Sequence, residues 1–184
     1  MQSHINLATK LLGAAAFLTA LSAAGPAVAV TSDTFTYTTV KTGYLSISPG
    51  AMIPDGFNMN YENSWSTGVR NAGKPGDPTI CLNTGVQLPH GAKITGIRVW
   101  YSNNPKSESS SFDLRRQMLA TNAIVSLKQL SGKDPSNNRV SVYAAVPAVV
   151  VNSALSTYMF GACLSAGDAF SGAAITYTYT TAGN

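Results

Sequence analysis

Residues 81–104, CLNTGVQLPHGAKITGIRVWYSNN, contain two strand-like segments separated by the short sequence LPHG. Proline fixes the first backbone angle of a tight turn and glycine accepts a positive one, so this sequence predicts a reversal between two strands. In the second segment, Ile94 is out of phase with Ile97 and Val99. A β-bulge at Gly96 would bring these apolar side chains onto one face.

The same kind of pattern extends along most of the chain. Apolar residues often alternate with Thr, Ser and Tyr, and clusters of turn residues recur about every ten positions, as is typical of an all-β sandwich or barrel. Nine segments are predicted as strands: 34–40, 44–48, 79–88, 92–101, 111–119, 123–130, 139–146, 156–165 and 173–180. This arrangement predicts an all-β fold with two packed antiparallel sheets.

The N-terminal 29 residues have the features of a secretory signal peptide. Lys10 is followed by an apolar run over 11–24 and by small residues that end at Ala29. The apolar run is shorter than the roughly 20 residues needed to cross a bilayer, which argues against a membrane anchor. We therefore expect cleavage after Ala29 and one mature domain over 30–184, secreted or associated with the cell envelope and without a membrane span.

The chain carries few charges. Only 11% of its residues are charged, against an average near 25%. Removal of the signal peptide leaves 11 basic and 8 acidic residues, and the basic ones are scattered, which argues against nucleic acid as a partner. A surface with few charges gives sheet edges little electrostatic protection against pairing. This composition favours a homo-oligomer or an extracellular structural layer, and it also fits an ordinary secreted domain.

The two cysteines, Cys81 and Cys163, are expected to form a disulfide. An even number of cysteines in an exported chain favours a bridge, whereas a metal site needs closer spacing and more ligands. Two buried free thiols are the alternative. The chain has no Cys-x-x-Cys sequence, so neither arrangement suggests redox catalysis.

The least regular stretch is 49–78, which exceeds the usual length of a connection and could be a functional loop or an ordered arm across the sandwich. It contains Tyr61, Asn63 and Trp65, and Trp100 lies on a predicted strand. Aromatic rings with amide side chains can hold a sugar ring or a partner surface, so these four residues are the predicted ligand-binding set. The alternative is that the aromatic residues belong to the core.

His90 is the only histidine after the signal peptide, and it is the first candidate for a catalytic base. Catalysis by His90 would require a nucleophile and an orienting carboxylate, and no Gly-x-Ser-x-Gly sequence occurs. Its place between Pro89 and Gly91 indicates a polar turn residue instead.

Acidic residues are few, and no cofactor or metal is predicted. Asp55 and Asp77 could hold a structural calcium, although aspartate before glycine or proline more often begins a turn. Glu62 and Glu108 are further acids that a glycosidase could pair with these, but no local motif supports such a pair.

Two stretches resemble a known group of sequences. YLSISPGAMIPDG (44–56) and CLNTGVQLPHGAKITGIRVWY (81–101), followed by FDLRRQML and AAITYTY, are similar to exported bacterial domains of unassigned function. Those domains carry patterns like YLSIxPGA and C-x-A-P-V-x-LPxGAxITG, and Thr84 and Gly85 stand here where the second pattern has Ala and Pro. The resemblance implies a β-sandwich of jelly-roll type and names no catalytic residue.

The sequence as a whole predicts a secreted, non-catalytic β-sandwich that acts as an extracellular structural or surface-interaction module and can self-assemble. Carbohydrate binding through the aromatic 49–78 loop is the alternative, and a small secreted hydrolase is the third reading. A cell-surface glycan or protein is the expected partner.

Overall fold

The computed structural model describes residues 35–56, 60–64, 68–106, 110–133 and 138–182. The chain from Thr34 to Asn184 forms one compact unit. The predicted signal peptide at 1–29 lies outside the described residues.

The described residues form eleven β-strands and one short 3-10 turn, with no α-helix among them. The turn is Pro49–Ala51, and the strands are β1 (Phe35–Ile47), β2 (Ile53–Pro54), β3 (Tyr61–Ser64), β4 (Gly68–Asn71), β5 (Ile80–Val86), β6 (Lys93–Ser102), β7 (Ser110–Met118), β8 (Ile124–Gly132), β9 (Val140–Val150), β10 (Ser156–Leu164) and β11 (Ala169–Ala182).

The strands form two antiparallel sheets. The front sheet has the order β3-β4-β11-β6-β9, and β1 also pairs with β11. The back sheet has the order β2-β5-β10-β7-β8. Between β4 and β11 the chain changes sheet at every connection except β7–β8, so that two four-stranded layers, β1-β11-β6-β9 and β5-β10-β7-β8, face each other as in a jelly roll. The predicted two-sheet antiparallel sandwich is confirmed.

The strand count is higher than the predicted nine because the 49–78 stretch contributes β2, β3 and β4. The hairpin β3–β4 extends the front sheet, since Val69 is buried and pairs with Phe170 of β11. In contrast, the two predicted segments 34–40 and 44–48 are one strand. Gly43, which resembles a break in the sequence, pairs with Tyr177, whose ring lies within 2.5 Å of where a Cβ of residue 43 would be.

The core lies between the sheets and is rich in aromatic rings. Phe160 and Phe112 of the back sheet are fully buried and contact Phe170 of the front sheet, with ring centroids 5.4 and 6.2 Å apart. Tyr101 of β6 packs on Phe112 at 5.3 Å. Burial of a Phe side chain stabilises a fold by about 1.5–3 kcal/mol relative to exposure, so this cluster is a main source of sandwich stability.

The predicted bulge in β6 is present. Ile94 pairs with Tyr177 and Gly96 pairs with Thr176, so that Thr95 is an extra residue between consecutive partners on β11. The bulge brings Ile94 and Ile97 to the same side, where both are fully buried. It therefore reconciles the two phases of the sequence pattern and fixes which residues of β6 point outward.

The predicted disulfide is also confirmed. Cys81 of β5 and Cys163 of β10 are direct cross-strand partners with Cα atoms 4.0 Å apart, and their sulfur atoms are bonded. Both are half-buried, whereas the adjacent Leu82 and Leu164 are buried. Because side chains alternate along a strand, the bridge lies on the outer side of the back sheet and fastens two neighbouring strands.

A buried carboxylate connects the loops at one end of the sandwich. The Asp168 side chain accepts hydrogen bonds from the backbone N–H of Asn104 at 2.7 Å and from the Ser110 hydroxyl at 2.8 Å. Asp168 is fully buried, so these bonds replace the water that the charged group loses.

Candidate functional site

The outward side of the front sheet, which we call the front face, carries the most exposed aromatic residues and lies beside a groove large enough for a ligand. Ile97, Val99 and Ile175 point into the core, so the residues that alternate with them along the paired strands point outward. The outward residues are Thr42, Tyr44 and Ser46 of β1, Ala174, Thr176 and Thr178 of β11, Lys93, Gly96, Arg98 and Trp100 of β6, and Ser141, Tyr143 and Ala145 of β9.

Tyr143 forms an aromatic platform on this face. A Cβ at Gly96 would lie 2.6 Å from the Tyr143 hydroxyl and within 3.0 Å of two of its ring carbons, so the ring lies across the backbone of β6. The Arg98 guanidinium stacks on the same ring with its carbon 5.5 Å from the centroid, and its Nη1 donates to the Ser141 hydroxyl at 3.3 Å. Tyr143 is nevertheless 53% exposed, so much of its surface faces solvent.

Tyr44 lies on the opposite side of the front face and is 70% exposed. Tyr44 of β1, Thr176 of β11, Gly96 of β6 and Ala145 of β9 are successive partners and form one row across the sheet. Three strand spacings of about 4.8 Å place the β1 and β9 ends of this row about 14 Å apart. Two exposed aromatic residues therefore flank a floor of small side chains.

A groove of about 660 Å³ adjoins this floor. Its lining residues come from the turn after β1, the β3–β4 hairpin, β11 and the segment before β9; they are Ser48, Pro49, Gly50, Asn63, Ser64, Gly68, Arg139 and Ser171. Nearly all of them offer hydroxyl, amide, guanidinium or backbone groups, so the groove suits a polar ligand. Trp100 pairs with Gly172, the residue after Ser171, which connects the groove to the front face.

The four predicted ligand-binding residues are placed differently. Asn63 lines the groove, and Trp100 is half-buried on the front face. Tyr61 is 39% exposed on β3 and does not line the groove. Trp65 lies outside the described residues, although its neighbours Ser64 and Gly68 both line the groove.

Sequence reasoning missed Tyr44 and did not distinguish Tyr143 from the core aromatics. Tyr101, the neighbour of Trp100, is only 4% exposed, whereas Tyr143 on the adjacent strand points outward. Alternation separates the two faces of each strand but does not say which face is outside. The pairing of Gly96 with β9 and β11 supplies that information, and it appears only in the folded sheet.

His90 lies in the predicted turn. Gly91 has a φ of 76°, the Ala92 N–H donates to the Pro89 carbonyl at 3.1 Å, and His90 itself is exposed. Its Nδ1 is 3.2 Å from the Ser153 hydroxyl. No carboxylate joins this pair in the hydrogen bonds between described residues, so the geometry matches a surface turn.

The acidic residues are dispersed. Glu62 forms an ion pair with Arg70 at 2.7 Å, and Asp77 accepts the backbone N–H of Lys74 at 2.7 Å, which is the turn-forming role. Asp55 lines a different depression, on the back sheet. Within the described part of the chain, no three His, Cys, Asp or Glu side chains are grouped as a metal site requires, and Glu108 lies outside it.

A search for membrane-spanning helices among the described residues finds none of sufficient length and apolarity.

No protein-family model and no curated protein matches the sequence. Among solved structures, the chain is similar to the C-terminal CBM6 of a laminarinase from Zobellia galactanivorans, with 17% identity, a TM-score of 0.47 and coverage of 73% of this chain and 99% of that one. It is also similar to a carbohydrate-binding module from Cellvibrio mixtus lichenase 5A in complex with cellotriose (13% identity, TM-score 0.45, coverage 71% and 95%).

A third similar structure is the K1 cleaved adhesin domain of Lys-gingipain from Porphyromonas gingivalis, with 12% identity, a TM-score of 0.38 and coverage of 75% and 98%. All three TM-scores are below 0.5, so the likeness concerns the β-sandwich architecture and assigns no function to this chain.

Proposed function

We propose that this chain is a non-catalytic polysaccharide-binding module that acts outside the cytoplasm, with the front face and its adjoining groove as the binding surface. The observation that carries the proposal is the Tyr143 ring, which lies across Gly96, is held by Arg98 and remains half-exposed. An aromatic ring that is fixed in position and open to solvent loses little conformational entropy when a ligand stacks on it.

The shape of the front face favours a sugar chain over a folded protein. A protein interface generally has an apolar centre with a polar rim. Here the Tyr143 ring covers Gly96 on one side, Tyr44 stands on the other side, and the smaller residues Ala174 and Thr176 of β11 form the floor between them. Such a floor admits an extended chain of sugar rings, whose apolar faces stack on tyrosine and whose hydroxyls bond to the polar groups of the groove.

The absence of catalysis and the extracellular location are parts of this proposal. His90 and Ser153 are exposed on the β5–β6 and β9–β10 connections, whose residues do not line the groove, and the Cys81–Cys163 disulfide suits an oxidising compartment. A binding module needs neither an activated nucleophile nor paired carboxylates.

The test is binding of the purified mature chain to a panel of polysaccharides, measured by affinity gel electrophoresis and by calorimetry. Tyr143→Ala and Tyr44→Ala should each weaken binding to the best ligand by about tenfold, the size of a strong contact residue. Tyr37→Ala is the matched control, because Tyr37 is also partly exposed but packs on Tyr179, which belongs to the core-facing side of β11. Undiminished binding of both front-face variants would contradict the proposed surface.

Self-assembly is a second candidate, and the open edge of β1 favours it. β1 has 13 residues, pairs only with β11 among the described strands, and its one charged residue is Lys41. Val40 is 65% exposed along it. An edge strand of this length with a single charge and no proline is a template for pairing with a second copy. The other edge of the front sheet, β9, contains Pro147, which blocks such pairing.

Light scattering of the mature chain tests assembly. A discrete oligomer that Val40→Lys converts to monomer would support pairing through β1. Val150→Lys is the matched control, since Val150 is similarly exposed on β9. A wild-type monomer at high concentration would rule out this second candidate and leave the polysaccharide proposal unaffected.

A further inference from the structure

The front face carries a positive charge that its described residues do not neutralise. Lys93 and Arg98 both lie on β6, are exposed and point outward, whereas no acidic residue occurs among the described outward residues of β1, β11, β6 and β9. Glu62, on the flanking hairpin, is already paired with Arg70. Of the remaining described acids, Asp55 and Asp113 belong to the back sheet.

The two cations are spaced for a long ligand. Lys93 pairs with Thr178 and Arg98 pairs with Ala174, and these two partners lie four positions apart on β11. At about 3.4 Å per residue, the backbones of the two basic residues are about 14 Å apart. A chain that carries acidic groups at intervals along β6 can contact both cations, while its sugar rings pass between Tyr44 and Tyr143.

The contacts of the Arg98 side chain orient it for binding an acidic group. Its guanidinium lies over the Tyr143 ring and donates to the Ser141 hydroxyl, and these two contacts restrict its orientation. A guanidinium has five N–H donors, and its geometry matches both oxygens of a carboxylate or sulfate group. An acid group bound there would lie directly beside the aromatic ring on which the same sugar chain stacks.

We propose that the ligand of the front face is an anionic polysaccharide, whose acidic groups bind Arg98 and Lys93 while its sugar rings contact Tyr143 and Tyr44. This inference rests on the polysaccharide-binding function proposed above and specifies its substrate class. Carboxylate and sulfate groups share the chemistry that Arg98 recognises, so the test includes a polymer of each kind.

Affinity gel electrophoresis and calorimetry of the mature chain with polygalacturonate, alginate, dextran sulfate and neutral dextran and xylan test the inference. We expect binding to one or both classes of acidic polymer that exceeds binding to neutral polymers at least tenfold and weakens as salt is raised. Arg98→Gln should weaken it by about tenfold or more, the effect of losing a hydrogen bond to a charged group, and Lys93→Gln should weaken it severalfold. The control Lys106→Gln removes an exposed cation from the β6–β7 loop and should have no effect.

The outcomes separate the inference from the function on which it rests. Preference for a carboxylated or a sulfated polymer identifies the acidic group. Tyrosine-dependent binding to neutral polymers that Arg98→Gln leaves unchanged would overturn the inference and keep the polysaccharide-binding function. Failure to bind any polysaccharide would overturn both. Equal binding to double-stranded DNA or to anionic lipid vesicles would show a general attraction of charges and would also overturn the inference.

Discussion

Gly132→Ala should destabilise the fold, although it adds only one methyl group. A Cβ at Gly132 would lie 2.6 Å from a ring carbon of Tyr101 and within 3.0 Å of two more. Ordinary contact begins near 3.4 Å, so the ring must move by nearly 1 Å. Tyr101 is 4% exposed and packs on Phe112, which leaves it little room. Overpacking of this kind costs about 1–3 kcal/mol.

The loss of glycine partly offsets that cost. Replacement of glycine by alanine stabilises by about 0.4–1 kcal/mol where the backbone permits it, because the unfolded chain has fewer conformations. The midpoints of these two ranges, about 2 and about 0.7 kcal/mol, leave a net loss at Gly132 of about 1 kcal/mol.

Two other glycines provide the comparison. The new Cβ of Gly96→Ala would approach the Tyr143 side chain equally closely. That ring is half-exposed and can swing outward, at the loss of about 0.5–1 kcal/mol of its contact with Arg98. The free energy of unfolding should therefore change by less than about 1 kcal/mol. Gly85→Ala has no atom within 4 Å of the new Cβ and should stabilise by about 0.4–1 kcal/mol.

Urea unfolding followed by tryptophan fluorescence measures all three variants on one scale, provided that the m value is unchanged. The expected order of stability is Gly85→Ala, then Gly96→Ala, then Gly132→Ala. The reasoning would be refuted if Gly132→Ala were as stable as Gly85→Ala, because burial of the opposing ring would then not determine the cost. In the binding assay, Gly96→Ala should weaken polysaccharide binding and Gly85→Ala should not.

Three further predictions concern stability. Asp168→Ala should lower the free energy of unfolding in urea by about 2–4 kcal/mol, because the backbone N–H of Asn104 and the buried Ser110 hydroxyl lose the acceptor of their hydrogen bonds. Asp77→Ala, on an exposed loop, should lower it far less. Phe160→Ala should cost about 3–5 kcal/mol by removing a fully buried ring that packs on Phe170 in the aromatic core. Replacement of Cys81 and Cys163 by serine should lower the unfolding free energy by about 4 kcal/mol, since the bridge closes a loop of 82 positions, and reductant should affect only the wild type.

The sheets could be predicted because they depend on signals within single segments, and the disulfide could be predicted because the chain has only two cysteines. Alternation along 173–180 and the out-of-phase Ile94 indicate strands and a bulge wherever those strands pair. The short strands β2, β3 and β4 could not be predicted, since segments of two to four residues rich in Asn, Pro and Gly carry no periodic signal. Their formation depends on the edges of sheets that the longer strands build.

The front face was less accessible to prediction, because it depends on the register of four strands. Tyr44, Arg98 and Tyr143 are dispersed over 100 positions of sequence and meet only through β11 and β6. The predicted ligand set contained Asn63, which lines the groove, and Trp100, which adjoins it. Its emphasis on the 49–78 loop led away from the tyrosines, since an aromatic residue on a strand is more often buried.

Three glycines that interrupt the strand pattern of the sequence bear on both the stability of the fold and the proposed function. Gly43, Gly96 and Gly132 each lie under a tyrosine ring that occupies the space of the missing side chain. Where the ring comes from a neighbouring strand of the same sheet, as at Gly43 and Gly96, it covers the backbone and strengthens strand pairing. At Gly132 the ring of Tyr101 comes from the opposite sheet and fills the core between the sheets. Tyr177, over Gly43, also packs with the core. At Gly96, on the outward side of the bulge, the Tyr143 ring faces solvent, so a glycine–tyrosine contact that packs into the core at the other two sites is here part of the proposed binding surface.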